Sequence, residues 1–158
     1  MQERAAQAVP IKPSTSAPTH TLRLAALPTA PHLARIFVTT TARQWQVNPL
    51  CIEVAELLVS ELVTNAVKQT GRFEGPPTPR PTERVAVVIV RVRLTDGALL
   101  RLDVWDHDQS PPVLAEQDEA AETGRGLFLV DALAQRWGCD SPAGCGMNGK
   151  VVWAEVAA

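Results

Sequence analysis

Two alternating stretches in the middle of the chain restrict what it can fold into. From Val85 to Leu94 the residues are apolar until Arg91 and Arg93 alternate with Val92 and Leu94. From Leu99 to Asp106 a second stretch sends Leu100, Leu102, Val104 and Asp106 to one side. Both read as strands, because a strand turns successive side chains to opposite faces and favours β-branched residues. Thr95-Asp96-Gly97-Ala98 separates them, and Asp-Gly supplies the positive φ angles of a two-residue hairpin turn. The chain is therefore committed to an antiparallel pair.

Helices are predicted on either side of this hairpin. Pro31 opens one that runs to about Trp45, since proline suits a first helical turn. Asn48-Pro49 opens a second, with Asn as the cap. In it Val54, Leu57, Leu58, Leu62 and Ala66 recur at three- and four-residue steps, the mark of an amphipathic helix. It should stop at Thr70-Gly71, where glycine suits a left-handed C-terminal position. A third helix is expected from Gly126 to about Trp137, a short edge strand over Thr21–Leu27 and a last strand over Val151–Val156. Prolines and glycines make 71–82 a loop, 107–123 reads as a mobile polar loop, and 1–19 as a disordered tail. With 158 residues the chain can bury one core, so residues 20–158 form one domain. Strands paired by a hairpin and flanked by helices give an α+β fold, a two-layer α/β sandwich with helices on one face of the sheet.

Composition excludes several classes. A net charge of −2 does not point to nucleic acid or to an acidic membrane. No apolar run approaches the roughly 20 residues of a membrane span, and the N-terminus lacks a secretory pattern, so a cytoplasmic protein is expected. Cys51, Cys139 and Cys145 are spaced neither as a disulfide framework nor as a zinc site.

Three places break the core pattern. Glu61 and Asn65 lie four apart on the second helix, so they share a face that borders its apolar stripe. A glutamate can orient water or accept a proton, and an amide oxygen can ligate Mg²⁺ beside phosphates. The same spacing also suits a plain solvated helix edge. Asp106 ends an inward strand face in a carboxylate that could accept from an amine of a bound base, or could merely start a turn. Thr123-Gly124-Arg125-Gly126 precedes Leu127 and a helix, whose free N–H groups favour anions. Arg125 could add a charge there, although a flexible loop needs the same glycines.

Together these segments resemble the Bergerat-fold, histidine kinase-like ATPases, and within them the small anti-sigma-factor serine/threonine kinases. Glu61-Leu62-Val63-Thr64-Asn65-Ala66-Val67 resembles the N box of that family. Asp103-Val104-Trp105-Asp106 with Pro111-Pro112 resembles its adenine box and the start of its lid. Gly124-Arg125-Gly126-Leu127-Phe128-Leu129-Val130-Asp131 resembles its second glycine box, and Gly149-Lys150-Val151-Val152-Trp153-Ala154-Glu155 its closing strand. The likeness runs over about residues 20–158. It implies a mostly antiparallel sheet, ATP or ADP as ligand and Mg²⁺ as cofactor. Glu61 would be the general base, Asn65 the Mg²⁺ ligand and Asp106 the acceptor for the adenine amine. Thr123, Gly124, Arg125, Gly126 and Leu127 would hold the nucleotide at the hinge of a lid, residues 107–123. Lys150 is a weaker candidate, because a lysine at a strand end is commonly exposed. The segment His107-Asp108-Gln109-Ser110 lacks the glycines of the sensor-kinase adenine box, which favours the anti-sigma branch. The partner implied is a sigma factor or an anti-sigma antagonist, and a homodimer is compatible. The alternative is a module that switches partners with nucleotide and phosphorylates nothing.

Overall fold

The computed structural model of the protein describes residues 17–71, 85–95, 98–112, 125–142 and 148–158. Its elements are β1 (Thr19–Ala25), α1 (Ala30–Gln44), α2 (Pro49–Thr70), β2 (Val87–Leu94), β3 (Leu99–Asp106), α3 (Arg125–Leu133), β4 (Arg136–Asp140) and β5 (Lys150–Ala157). The five strands form one sheet in the order β1-β2-β3-β5-β4, every neighbour antiparallel. The expected α+β sandwich is therefore present, with β1 at one edge as anticipated.

Helix α2 starts where its cap predicts. The Asn48 side chain accepts the Leu50 N–H at 2.9 Å, and Pro49 follows in the first turn. Its buried residues include Cys51, Ala55, Leu58, Leu62 and Ala66, flanked by Ile52, Val59, Val63 and Val67. Leu57, expected on this stripe, is 53% exposed instead. The stripe packs on the inward face of the sheet, against Val88, Val90, Val92, Leu100, Leu102, Val104, Val152 and Ala154. Each such side chain contributes about 1.5–3 kcal/mol when fully buried.

The opposite face of the sheet is charged. Asp103 lies under Arg91, Arg93 and Arg101, with N–O distances of 3.1, 3.2 and 2.9 Å. Glu155 is held by Arg101 at 3.1 Å and Arg136 at 2.6 Å, and Arg101 stacks over Trp153 at 4.0 Å. Burial pushes the Glu155 carboxyl up, but the two guanidiniums outweigh it and hold it below its ordinary value.

Four expectations need adjustment. The third helix ends at Leu133 rather than near Trp137, and β4 follows as a strand that sequence reading omits. Thr19 already belongs to β1, while residues 1–16 of the expected tail lie outside the described residues. At the hairpin, Thr95 N–H donates to Leu99 O at 2.8 Å, so three residues lie between the paired positions rather than two. Asp96 and Gly97 lie outside the described residues, and the positive φ of 54° falls on Ala98. Gly71 does end α2, but at φ −108° it is extended. Its missing Cβ matters for a different reason: one would run into the backbone oxygen and Cβ of Ala26.

Two stability predictions follow from these contacts. Gly71→Ala should destabilise the fold by about 1–3 kcal/mol, as overpacking does. Gly71→Asn, which a left-handed cap would tolerate, should cost at least as much; thermal melts that leave Asn near wild type would refute the close-approach account. The second concerns acid. A depressed carboxyl adds stability that is present above its unfolded value and is lost as pH falls through its folded value. Glu155→Gln should therefore lower the melting temperature at neutral pH, and the gap to wild type should close below the ordinary carboxylate range.

Candidate functional site

The site forms where α2, the start of α3 and the ends of β3 and β5 meet. Glu61 and Asn65 lie one helical turn apart, both half-buried at the border of the α2 stripe. Gly126 sits over them. A Cβ built on Gly126 would be 2.5 Å from Glu61 Oε2 and 3.5 Å from Asn65 Nδ2. Only a residue without a side chain lets α3 begin this close to the Glu61 carboxylate. The first N–H groups of α3 have no partner within the helix, so they are donors for an anion. Thr123, Gly124 and the Arg125 side chain lie outside what the structure describes.

A cavity of about 410 Å³ opens beside this contact, within the usual range for small-molecule sites. Leu62, Ala66, Val104, Leu127 and Val152 give it apolar walls, and Asn65 lies on its rim. Pro111 and Pro112, expected at the start of a lid, line its mouth. The remaining expected lid residues, 113–123, lie outside the described residues.

Two opposite charges form the polar end of the cavity. Asp106 is 2% exposed and Lys150 5% exposed. Lys150 Nζ donates to Asp106 Oδ1 at 3.0 Å, to Asp108 Oδ2 at 3.0 Å and to the Asp108 carbonyl at 3.1 Å. The Asp108 N–H also donates to Asp106 Oδ1, at 2.9 Å. Both donors thus use one oxygen of Asp106, and no described residue donates to Oδ2. Gly149, at φ 127°, lets β5 start here, since a Cβ would strike the Asp106 carbonyl oxygen. Burial pushes the Asp106 carboxyl above its ordinary value, and Lys150 and the Asp108 N–H limit the rise. Asp108, hydrogen-bonded to the same lysine, is held below its ordinary value.

The structure thus brings together Glu61, Asn65 and Gly126 at one end, and Asp106 and Leu127 with Asn65 around the cavity. Lys150 departs from the expectation of an exposed strand end. A signal for it does exist in the chain. Lys150 continues the inward alternation of Val152, Ala154 and Val156, and the antiparallel register sets it opposite Asp106. Asp108 gave no such signal, because its carboxylate acts through a turn.

The residues fit a nucleotide. An acceptor oxygen at the end of an apolar slot suits an amino-substituted planar base, and the cradle at Gly126 suits phosphate. Among the described residues no group of three or more His, Cys, Asp or Glu is placed to hold a metal. Asn65 would be the residue to hold Mg²⁺ through its side-chain oxygen, since Mg²⁺ beside phosphates keeps few protein ligands.

Residues 24–154 match the family model of the histidine kinase-like ATPase domain. The match covers most of the chain, so the protein belongs to that family, and this supports an ATP-binding regulatory function. No curated protein matches the chain. No helix among the described residues is long and apolar enough to cross a membrane.

Gly126→Ala isolates the contact with Glu61. The new methyl meets the tip of a flexible side chain, so the fold should hold and the carboxylate should move. A misplacement of that size costs roughly 10²-fold in rate when the group takes part in chemistry. ATP consumption should fall accordingly with the melting temperature nearly unchanged. Unaltered consumption would show that the position of Glu61 does not matter.

Proposed function

We propose that the protein is an anti-sigma-type serine/threonine protein kinase, which binds ATP and phosphorylates a hydroxyl on a protein antagonist. The observation that carries this reading is the placement of Glu61. Its carboxylate lies against the start of α3, one helical turn from Asn65, which lines the cavity together with Leu127 of α3.

Each residue then has a distinct task. Asp106 Oδ2 accepts from the amine of adenine, and Val104, Val152 and Leu62 enclose the ring. The N–H groups at the start of α3 bind phosphate oxygens, with Gly124 and Arg125 completing the cradle. Asn65 holds Mg²⁺, which when bound neutralises part of the phosphate charge. Glu61 takes the proton from the attacking serine or threonine hydroxyl as that oxygen bonds to the γ-phosphorus, while the bond from the γ-phosphorus to the β,γ-bridging oxygen breaks and ADP leaves. The protein partner is a sigma factor or the antagonist that competes with it. A carboxylate at this position favours catalysis over a module that only binds nucleotide.

Substitutions at the two helix positions should fail differently. Glu61→Ala should leave ATP affinity nearly intact and lower phosphoryl transfer by roughly 10²–10⁴-fold, the usual contribution of a positioned base. Asn65→Ala should weaken ATP binding in Mg²⁺ and change it little in chelator. Transfer is measured with labelled ATP and an antagonist-type acceptor, after melting curves confirm folding. Wild-type protein that binds ATP yet transfers to no acceptor and hydrolyses none would establish the partner-switching module instead. Full transfer by Glu61→Ala would remove Glu61 as the base.

A further inference from the structure

We propose that Lys150 is a specificity-determining positioning residue: it fixes Asp106 as a hydrogen-bond acceptor with Oδ2 facing the base, so that the pocket selects a 6-amino over a 6-oxo purine. The proposal rests on the nucleotide reading of the cavity given above.

Lys150 is not itself a ligand contact. An ammonium has three N–H donors, and all three are engaged, on Asp106 Oδ1, Asp108 Oδ2 and the Asp108 carbonyl. What the lysine controls is the state of its neighbour. An ionised carboxylate only accepts, so its free oxygen matches an exocyclic amine. Opposite a 6-oxo group it would set two acceptors face to face, and a buried acceptor left unpaired is costly. A protonated carboxyl would lose this discrimination, because its O–H can donate to the oxo group.

Asp106 could hardly stay ionised alone. It is 2% exposed, and an unpaired carboxylate at such a site takes up a proton rather than remain charged. The charged and titratable groups around it are few. Lys150 comes from β5 and Asp108 from the segment after β3, next to the exposed His107. Lys68 of α2 lines the same cavity. Cys139 of β4 senses both Asp106 and Lys150, but burial raises its thiol, so it stays neutral. Asp108 opposes ionisation of Asp106, which leaves Lys150 as the cation in direct contact. Its bond to the Asp108 carbonyl also fixes the first residues beyond β3, so Oδ1 is kept occupied by two donors and Oδ2 is the oxygen left for the base.

The test compares ATP with inosine triphosphate, which carries oxygen in place of the amine at position 6 and a hydrogen on N1. Calorimetric titrations are run over a series of pH values, from acid to alkaline, at which the protein stays folded. The ratio of the two affinities is the readout, because titration of the phosphates cancels in it. Wild type should prefer ATP by roughly tenfold to a hundredfold at every pH, the weight of one hydrogen bond to a charged group. In Lys150→Met the preference should collapse at the acid end of the series and return as rising pH removes the proton from Asp106. Lys150→Arg, which keeps the cation, should keep the preference. A Lys150→Met variant that weakens both nucleotides equally, with an unchanged ratio at all pH values, overturns the proposal and leaves Lys150 as a structural tie. Wild type that binds neither nucleotide, or both equally, overturns the nucleotide reading beneath it. If Lys150→Met does not fold, carboxyl-carbon NMR on wild type decides: an ionised Asp106 near neutral pH supports the proposal, and a protonated one overturns it.

Discussion

The packing of α2 across β3 and β5 governs the rest of the molecule. One helix supplies both the core stripe and the rim of the cavity. Leu58, Leu62 and Ala66 face the sheet, while Glu61 and Asn65 sit one step round the same turns. Protein interiors are close-packed and yield little, so the distance from these polar residues to Asp106 is set by the apolar contacts between them. A helix shift by one turn would carry the helix about 5.4 Å and part the two halves of the site. The core and the site are consequently one geometric object, and residues remote from any ligand hold its dimensions.

How much of this could be read from the chain differs from place to place. The cap at Asn48, the stop at Thr70 and the β2–β3 pairing were legible because each is a local signal: a side-chain acceptor, a glycine, an alternating run. The grouping of Glu61, Asn65 and Asp106 was legible only through resemblance, since spacing alone suited a solvated helix edge equally well. Strand β4 was not legible. Val130, Ala134 and Trp137 keep a helical spacing past the real end of α3, so periodicity gave no stop. Arg136-Trp137-Gly138-Cys139-Asp140 is an edge strand with only β5 beside it, and no residue in it is fully buried. Its strand character comes from pairing with β5, which a local reading does not see. The burial of Lys150 was hidden for a related reason, because exposure at a strand end depends on what the neighbouring strand ends with. At Gly71 the right residue was noticed for the wrong cause: the constraint is Ala26, distant in sequence, not the local backbone angle.

Buried charge is handled in two ways on the two faces of one sheet. On the outer face Asp103 is paired with three arginines and Glu155 with two, all through their guanidinium groups. Planar guanidiniums can satisfy a carboxylate from several directions at once, which is why arginine rather than lysine occupies those positions. At the cavity the opposite choice is made. A single lysine offers a compact charge with three donors, and among the described residues one oxygen of Asp106 receives no donor. The face that only has to be stable saturates its acids, and the pocket keeps one acceptor in reserve.

The arginines of β2 also act on how the chain finds its fold. Along Val90-Arg91-Val92-Arg93 the two faces are as unlike as side chains allow. If β2 slid by one residue against β3, Arg91 and Arg93 would be driven beneath α2 and the valines turned out to water. Each arginine so displaced would lose its hydration without a carboxylate to meet it, a penalty of several kcal/mol per ion. Misaligned hairpins are thus disfavoured once α2 packs on the sheet. The connection between the strands is released from the task of choosing alignment, which is why a non-glycine residue, Ala98, can hold φ at 54° there. An alanine in that conformation costs about 1–2 kcal/mol, and the strands on either side impose it. Here the turn follows the alignment of the strands instead of dictating it.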